Sequence, residues 1–506
     1  MTLARTWSVG LVGVRGAMVE VEVDMAAGLP GVALVGLPDA VVRQSVDRVR
    51  AAVANAGASF PQRRITIGLS PASMPKQGSG FDLALAAAVL AAAGVVPVAA
   101  VDRLVLLGDL GLDGSVRGIR GTLPAVLAAA RAGHPQVVVP TANADEAALA
   151  DGIEVLPVAT LGALLNHLTG REPVFRHRRG TVPAPLPGPD LGDVVGQAAG
   201  RRAVEVAAAG GHHLLLTGPP GAGKTMLAER LPGLLPPLDE QAALEVTAIH
   251  SIAGTLPPEA PLVTRPTFEA PHHSATMAAL IGGGSGQIRP GALCRAHRGV
   301  LFLDEAPEFP RAVLDTLRQP LERGQVTIHR AAGSATFPCR AQLVLAANPC
   351  PCASAAGDTA CTCSPLERRR YTARLSGPLL DRIDLRADLP PVTHAAWLDG
   401  LGRPESTAAV AGRVAAARAV AAQRLTGTGL SVNSQVPGRL LRERWPIPRS
   451  SLRLAEHALE RGALSVRGFD RVLRVAWTLA DLAGRTAPGA DEVAEALGMR
   501  LQRVAA

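Results

Sequence analysis

The spacing of apolar residues divides the chain into segments with different predicted structures. Residues 19–24, VEVEVD, alternate between apolar and charged side chains, which predicts a strand with one buried face. Further short strands at 63–70 and 136–140 lie between Ala-rich helical segments, so residues 1–170 are predicted to form a mixed α/β domain. Residues 171–189 contain five prolines and no apolar periodicity, and they are interpreted as a linker.

The rest of the chain shows two further patterns. Strands and helices alternate over residues 190–392, which predicts a second α/β domain with an insertion at 263–299. Residues 393–506 have helical spacing over most of their length and are predicted to form a helical domain.

One apolar run needs separate consideration because it is long enough to span a bilayer. Residues 83–101 are 19 consecutive uncharged residues. Pro97 interrupts the run and much of it is Ala, so we expect a buried helix that leads into a loop. Residues 1–23 lack the basic and apolar regions of a secretory signal. The sequence therefore predicts no membrane partner and a cytoplasmic location.

Composition adds one constraint on function. The 506 residues carry a formal net charge of +8 from 51 basic and 43 acidic residues, but only Lys76 and Lys224 are lysines. This excess of arginine indicates compositional drift, so net charge is weak evidence for a nucleic-acid partner. A retained lysine in this background is a candidate for a position that needs a compact ammonium, although retention alone does not establish a function. Arginines also gather locally, at 289–298 and 368–374.

A phosphate-binding motif lies at 212–231, where an apolar strand, a glycine-rich loop and an amphipathic helix follow one another. The loop has the P-loop spacing Gly-x₄-Gly-Lys-Thr. Its glycines let backbone N–H groups point at phosphate oxygens, and the helix adds its positive N-terminal end. Lys224 is predicted to contact the β and γ phosphates, and Thr225 to offer its hydroxyl to Mg²⁺. The predicted ATP-binding residues are Gly218, Pro219, Pro220, Gly221, Ala222, Gly223, Lys224 and Thr225.

Carboxylates and an amide follow two further apolar strands. The strand at 300–303 ends in Asp304 and Glu305, which are predicted to hold Mg²⁺ through water and to polarise the attacking water, respectively. The strand at 342–347 ends in Asn348, whose amide is predicted to position that water. The alternative for Asn348 is a turn-forming residue before a proline.

These motifs together resemble an AAA+ ATPase module of the magnesium-chelatase-like kind, and more narrowly the ComM (YifB) family. The narrower resemblance rests on PHHSATMAALIGGG (271–284) and NPCPC (348–352). It implies an α/β P-loop AAA+ module with a C-terminal helical lid, assembled as a homo-oligomeric ring that is usually a hexamer. Each nucleotide would lie between neighbouring subunits.

The resemblance also assigns two arginines. Arg382, in LLDRID, matches the arginine finger that reaches into the adjacent site. The alternative is an ion pair with Asp381 or Asp384 of its own subunit. Arg467 matches the second sensor arginine, with Arg474 as the fallback, and the alternative is a solvated helix face.

The insertion at 263–299 resembles those that motors of this clade project toward the ring channel. It contains Gly282–Gly284, and its arginines could track a phosphate backbone without reading sequence. A flexible loop in an arginine-rich chain is the alternative. Two adjacent histidines, His272 and His273, are interpreted as structural rather than as metal ligands. The arginines of the insertion are Arg289, Arg295 and Arg298.

Four of the six cysteines cluster directly after Asn348. As thiolates they could hold a structural zinc ion in tetrahedral geometry. The spacing within each pair is one residue, shorter than usual, so unliganded thiols or a labile disulfide remain alternatives. The neighbouring ERRRYTAR (367–374), with Tyr371, is a candidate nucleic-acid contact or a solvated helix face. The clustered cysteines are Cys350, Cys352, Cys361 and Cys363.

The region ahead of the motor resembles the Lon-type protease domain, an α/β fold of the S5 domain 2-like kind, at 74–92 and 108–130. The nucleophile position of that Ser-Lys peptidase falls on Gly80 and the lysine position on Leu123. A shift of one residue offers Ser79, but no lysine occurs between 77 and 223. Without a base a serine hydroxyl is a poor nucleophile. We therefore expect a non-catalytic interaction or assembly module.

The leading functional hypothesis is an ATP-hydrolysing ring motor that acts on DNA and drives branch migration of recombination intermediates, as the resemblance implies. One alternative is a chelatase-type subunit that drives metal insertion through a partner, although a metal-dependent adhesion motif is not recognisable. Another is a nucleotide-switched regulatory protein. Asp304 and Glu305 favour turnover over a simple switch.

Overall fold

The computed structural model describes residues 2–181, 188–257, 259–284, 288–330, 333–354, 361–391 and 404–501. Parts of the predicted linker, insertion, cysteine segment and helical domain lie outside these residues. Below, the N-terminal region is residues 2–170, the P-loop region is residues 190–391 and the C-terminal region is residues 404–501.

The N-terminal region is built on a mixed seven-stranded sheet with the order β3-β4-β2-β1-β5-β8-β9. Buried residues alternate along β2, which confirms the strand predicted from the VEVEVD pattern. The strands are β1 (Thr2–Val12), β2 (Arg15–Ala26), β3 (Gly31–Val35), β4 (Arg64–Ser70), β5 (Leu104–Leu106), β8 (Gln136–Pro140) and β9 (Glu154–Val158). A separate ladder pairs β6 (Asp109–Leu110) with β7 (Val116–Arg117).

Helices cover both faces of this sheet, because successive side chains along its strands point into two different apolar cores. The helices are α1 (Ala40–Asn55), α2 (Asp82–Ala92), α3 (Val98–Val101), α4 (Thr122–Arg131), α5 (Ala144–Ala147) and α6 (Leu161–Leu168). Every residue of α2 is buried, and Pro97 marks the start of α3. The buried helix expected for residues 83–101 is thus confirmed. In the described part of the chain, none of the helices has the length and apolar character to cross a bilayer.

The P-loop region is built on a parallel five-stranded sheet with the order β11-β14-β17-β10-β18. Because the strands are parallel, the residues that follow each strand collect at one edge. The strands are β10 (Leu214–Thr217), β11 (Phe268–Glu269), β14 (Val300–Leu303), β17 (Gln342–Ala347) and β18 (Leu385–Asp388). Two antiparallel hairpins stand apart from the sheet and consist of β12 (Gly282–Gly283) with β13 (Arg289–Pro290), and β15 (Gln325–Arg330) with β16 (Gly333–Pro338).

Helices surround this sheet and continue into the C-terminal region, which is helical as predicted. The P-loop region contains α7 (Ala198–Gly210), α8 (Lys224–Leu234), α9 (Glu240–Ala253), α10 (Met277–Ile281), α11 (Ala292–Arg295), α12 (Arg311–Asp315), α13 (Arg318–Arg323), α14 (Pro365–Thr372) and α15 (Gly377–Leu380). The C-terminal region contains α16 (Thr407–Arg424), α17 (Gly438–Arg444), α18 (Arg449–Glu460), α19 (Val466–Leu482) and α20 (Ala490–Leu501). One apolar core joins α7 and α8 to these last helices.

The N-terminal region contacts the P-loop region through α4 and α9. Apolar residues of both helices form a small shared core that includes Leu123 and Ala248. At its border the buried carboxylate of Glu146 accepts a hydrogen bond from the backbone N–H of Leu123 at 2.7 Å and another from the hydroxyl of Ser251. Desolvation raises the pKa of Glu146. The contact therefore includes a buried acid as well as apolar packing.

The start of the predicted linker is held against the N-terminal region. His177 bridges to Val155 at the edge of the sheet, and its ring nitrogen Nε2 lies 2.7 Å from Oδ1 of Asp145. Residues 182–187 lie outside the described residues.

Candidate active site

The P-loop lies between β10 and α8, and its conformation depends on glycine at three positions. Gly221 and Gly223 have φ angles of +78° and +86°, a region that favours glycine. A Cβ atom on Gly218 would lie 2.5 Å from the carbonyl oxygen of Leu389, so a side chain does not fit there. The loop leads directly into Lys224, the first residue of α8.

Lys224 is buried, with 8% of its surface exposed, and its ammonium has three acceptors. Nζ donates to the carbonyl oxygens of Gly218 at 2.7 Å and Pro219 at 3.0 Å, and to Oδ1 of Asn348 at 3.0 Å. Burial lowers the pKa of Lys224, while the charges of Asp304 and Glu305 act in the opposite direction. The ammonium is thus held at the loop, where phosphate oxygens can replace its neutral acceptors.

The two predicted Mg²⁺ ligands lie side by side. Thr225 Oγ1 donates to Oδ2 of Asp304 at 2.9 Å, although the two residues are 79 positions apart in the chain. A hydroxyl and a carboxylate are hard oxygen donors of the type that Mg²⁺ prefers. Thr225 and Asp304 therefore fit a Mg²⁺ ion, which would supply positive charge beside the phosphates.

Glu305 follows Asp304 in an unusual backbone conformation. Its φ angle is +48°, and its N–H donates to Oδ1 of Asp304 at 2.8 Å. Its carboxylate faces an imidazole, because Nδ1 of His273 lies 3.2 Å from Oε2 of Glu305. This contact was not predicted from the sequence, because two adjacent histidines do not indicate which other element they contact.

Asn348 joins the same edge of the sheet, directly after β17. Tyr371, on α14, is buried and interacts with the backbone of Asn348, and burial raises its pKa to about 12. Tyr371 therefore does not belong to an exposed aromatic patch, and that part of the nucleic-acid hypothesis for residues 367–374 is wrong. Arg369 and Arg370 are exposed on the same helix.

The two arginines assigned by resemblance lie at the opposite edge of the sheet. Arg382 comes shortly before β18, which runs parallel to β10, so it precedes the strand rather than following it. Its guanidinium bonds Glu322 at 2.5 Å and the carbonyl of Arg318 at 2.9 Å. The own-subunit partner is thus Glu322, and the expected alternatives Asp381 and Asp384 do not fill that role.

Arg467 lies near Arg382 rather than near the P-loop. Its side chain is 79% exposed, and Nη1 lies 3.8 Å from Oδ2 of Asp381. Arg474, the fallback, is mostly buried, and Nε donates to the carbonyl of Val436 at 2.7 Å. Arg382, Arg467 and Arg474 line one cleft of about 950 Å³ at this edge.

A buried carboxylate ties this edge to α19. Arg471 donates to Oδ1 of Asp384, and the backbone N–H of His213 donates to Oδ2 at 3.1 Å. Desolvation is the largest influence on the pKa of Asp384 and raises it, but the interaction with His212 and the charge of Arg471 together hold this pKa well below its ordinary value. Asp384 therefore connects the segment that carries Arg382 to the helix that carries Arg467.

The arginines of the insertion have different surroundings. Arg295 is paired with Glu269 at 2.8 Å and Arg298 with Glu245 at 3.3 Å, so both are committed to contacts within the chain. Arg289 is exposed on the β12–β13 hairpin. The β15–β16 hairpin, which sequence reasoning did not identify, lies beside it and carries the exposed Arg330.

The four clustered cysteines converge, as a metal site requires. Their sulfur atoms all lie within 4.8 Å of one another, and Sγ of Cys350 is 3.2 Å from Sγ of Cys352 and 3.3 Å from that of Cys361. Hydrogen bonding with Cys350 lowers the pKa of Cys352 to about 6. The set of thiol groups suits a tetrahedral thiophilic metal despite the short spacing.

The described hydrogen bond of the one lysine in the N-terminal region goes to the backbone rather than to a serine. Lys76 is fully buried, and its ammonium donates to the carbonyl of Pro71. Leu123, at the lysine position of the peptidase pattern, is buried in the contact with α9. The non-catalytic interpretation remains a prediction.

Comparison with protein families matches three parts of the chain. Residues 190–397 match the model for magnesium chelatase, subunit ChlI. Residues 21–143 match the model for subunit ChlI of Mg-chelatase, and residues 404–500 match that for the ChlI C-terminal part.

Similarity to Lon proteases is partial. The chain is 26% identical to the Lon protease of Trichlorobacter lovleyi over 173 residues, which cover 32% of this chain and 21% of that protein. This similarity covers about a third of the chain and is partial for both proteins.

Other relatives match along nearly the whole length. The protein Rv2897c of Mycobacterium tuberculosis strain H37Rv is 55% identical over 500 residues, 99% of each chain. Competence protein ComM of Haemophilus influenzae is 39% identical over 505 residues, 99% of this chain and 98% of its own. YifB of Escherichia coli is 39% identical over 482 residues, 95% and 94% of the two chains. The P-loop, the predicted Mg²⁺ ligands and Asn348 lie together at one edge of the sheet. These matches show that the chain belongs to the ComM/YifB family of magnesium-chelatase-like AAA+ ATPases.

Proposed function

We propose that this protein is an ATP-driven ring motor, a homo-oligomer and by family resemblance a hexamer, that acts on DNA and drives branch migration of recombination intermediates. In this proposal ATP binds at residues 218–225, and Thr225 and Asp304 hold Mg²⁺. When bound, Mg²⁺ neutralises charge on the β and γ phosphates. Glu305 polarises the attacking water, and Asn348 orients it.

The proposal of a ring rests on the positions of Arg382 and Arg467. Both lie at the edge of the sheet opposite the P-loop of their own chain, beside Asp381 and Asp384. An arginine at that edge reaches a γ phosphate only in a neighbouring subunit stacked edge to edge. A ring supplies such a neighbour to every site.

DNA contact is supported by the two adjacent hairpins. Arg289 and Arg330 are exposed on them, and Arg369 and Arg370 are exposed on α14. Side chains of this kind bind phosphates without reading bases. The name of the Haemophilus influenzae relative, competence protein, points in the same direction.

A chelatase-type role is the second candidate, because all three family models that match are named for a magnesium chelatase subunit. That role requires a partner chain that holds the tetrapyrrole. It predicts ATPase activity that responds to such a partner and is indifferent to DNA.

The deciding experiment is steady-state ATPase activity with no DNA, single-stranded DNA and branched DNA across a salt series. We expect stimulation by DNA that weakens as salt rises, because phosphate contacts release counterions. The variant Arg289→Ala with Arg330→Ala should lose this stimulation, whereas Arg295→Ala, which removes an internal ion pair, should retain it. Absence of stimulation and of salt-sensitive binding in the wild type would reject the DNA role.

We also propose that the four clustered cysteines hold a structural zinc ion. The cluster begins two residues after Asn348, so the metal would anchor the segment that leaves the catalytic edge. Residues 355–360, which connect the two cysteine pairs, lie outside the described residues.

A further inference from the structure

An exposed aromatic ring lies at the start of the predicted linker. Phe175 is 81% exposed, whereas every other phenylalanine, tyrosine or tryptophan in the described part of the chain is buried or half-buried. A phenyl ring usually packs into a core because burial of its apolar surface is favourable. Single exposed apolar side chains are common on protein surfaces, so the setting of Phe175 decides whether the ring has a role.

The backbone on both sides of Phe175 is fixed to the N-terminal region. The N–H of Val174 donates to Nδ1 of His167 at 3.0 Å, and the side chain of Val174 packs against the apolar core of that region. Two residues after the ring, the N–H of His177 donates to the carbonyl oxygen of Val155 at 2.8 Å. A held backbone thus presents the ring to solvent, which reduces the entropy that is lost when a ligand covers it.

Arginines flank the ring along the chain. Residues 171–180 contain four arginines and a single acidic residue, Glu172. Arg178, three positions after Phe175, is exposed and has no acidic partner among the described residues. The segment therefore presents an aromatic ring and an unpaired guanidinium close together in the chain.

Two further arginines of the segment have weak partners. Nη1 of Arg176 lies 3.4 Å from Oε1 of Glu154, and Nη1 of Arg179 lies 3.5 Å from Oε1 of Glu240 at the start of α9. Exposed ion pairs of this kind contribute little, so an anionic ligand can compete for both guanidinium groups. The bond to Glu240 also places the segment beside both the N-terminal and the P-loop regions.

The combination of an exposed ring and arginines matches the chemistry of a single nucleic-acid strand. Unpaired bases offer flat faces that stack on aromatic rings, and the phosphates between them pair with guanidinium groups. A duplex hides its base faces, and an acidic peptide offers no regular series of planar groups. We propose that residues 175–179 bind single-stranded DNA, with a base stacked on Phe175 and a phosphate paired with Arg178. This inference rests on the proposed DNA function and adds a contact outside the insertion.

The test is binding of a fluorescein-labelled oligothymidylate to the full-length protein, measured by fluorescence anisotropy across a salt series. Phe175→Ala should weaken binding by about tenfold at every salt concentration, because stacking is lost but no phosphate contact is. Phe175→Trp should bind at least as tightly as the wild type. Arg178→Ala should reduce the slope of log Kd against log salt by about 0.7 for each subunit that contacts the strand.

Two variants are matched controls. Leu29→Ala removes another exposed apolar side chain of the N-terminal region, and Arg43→Ala removes another exposed arginine. Both should bind the oligonucleotide as the wild type does. The ATPase rate without DNA should be the same in all these variants, because none of the substituted residues lies in the nucleotide site.

The outcomes separate this inference from the proposed DNA function. If the wild type binds the oligonucleotide and both Phe175→Ala and Arg178→Ala bind it equally well, this inference alone is overturned, and an acidic protein ligand is favoured for the segment. An equal loss of affinity of Phe175→Ala for single-stranded and duplex DNA would overturn the stacking. If the wild type does not bind DNA, the proposed DNA function fails together with this inference.

Discussion

The side-chain amide of Asn348 supplies one of the three acceptors of the Lys224 ammonium, with 3.0 Å between Oδ1 and Nζ. Asn348 directly follows β17, and the loop that leads to Lys224 follows β10, the neighbour of β17 in the sheet. A neutral acceptor leaves the lysine charge available to the nucleotide. Asn348 therefore helps to hold the Lys224 ammonium without neutralising its charge.

Asn348→Asp should weaken ATP binding by about tenfold or more, because a carboxylate at hydrogen-bond distance pairs with the lysine and repels the triphosphate. Asn348→Ala should leave ATP binding close to that of the wild type but lower kcat by about a hundredfold, since the water loses its orienting group. Binding of a fluorescent ATP analogue and steady-state kinetics separate the two effects. Equal binding by the Asp and Ala variants would contradict this interpretation of the contact.

Local motifs predicted much of this site, whereas tertiary pairings did not follow from the sequence. The P-loop, Asp304 and Asn348 were each predicted from an apolar strand and the residues that follow it. In a parallel sheet the residues that follow the strands lie at the same edge, so these groups must lie close together. The partner of Arg382, Glu322, is 60 positions away, and the Ser251–Glu146 contact spans 105 positions. No sequence spacing predicts either pairing, because each one depends on how separate helices pack against each other. The contact of His273 with Glu305 was missed for the same reason.

A ring with shared sites predicts complementation between two inactive variants. Lys224→Ala should abolish ATP hydrolysis because no other ammonium reaches the phosphates, and Arg382→Ala should reduce it by about a thousandfold or more. Mixed rings contain some interfaces with an intact P-loop on one side and an intact Arg382 on the other. We therefore expect activity to return when the two variants are mixed during assembly.

The control for that experiment is Lys224→Ala mixed with the double variant Lys224→Ala, Arg382→Ala, in which no interface has both groups. ATPase activity is measured at several mixing ratios. If the mixture of Lys224→Ala and Arg382→Ala is no more active than the two variants measured separately, Arg382 acts within its own chain. Its bond to Glu322 would then be its main role.

Metal content tests the cysteine cluster. The purified wild type should contain about one zinc ion per chain, and Cys352→Ser should lose it and lower the melting temperature, because structural zinc contributes directly to folding. Cys339→Ser is the matched control, since Cys339 is a buried free thiol outside the cluster. Elemental analysis and thermal unfolding give the answer. A wild-type protein free of zinc after metal-replete expression would contradict the proposal.

The contact between the N-terminal and P-loop regions should respond to pH through Glu146. Its pKa in the folded protein is raised above the ordinary value of 4.5 by desolvation, and its described partners, Ser251, Leu123 and Asn143, carry no charge. Folding therefore favours the protonated acid, so its stabilising effect is complete below pH 4.5 and declines as pH rises through the folded pKa. Glu146→Gln keeps an acceptor oxygen without the charge. The variant should therefore melt at the same temperature as the wild type at acid pH, and at an increasingly higher temperature than the wild type as pH rises toward neutral. Melting temperatures of both proteins between about pH 4 and pH 8 measure this difference, with the exposed Glu172→Gln as control. Parallel curves for the wild type and Glu146→Gln would show that Glu146 does not contribute this pH dependence.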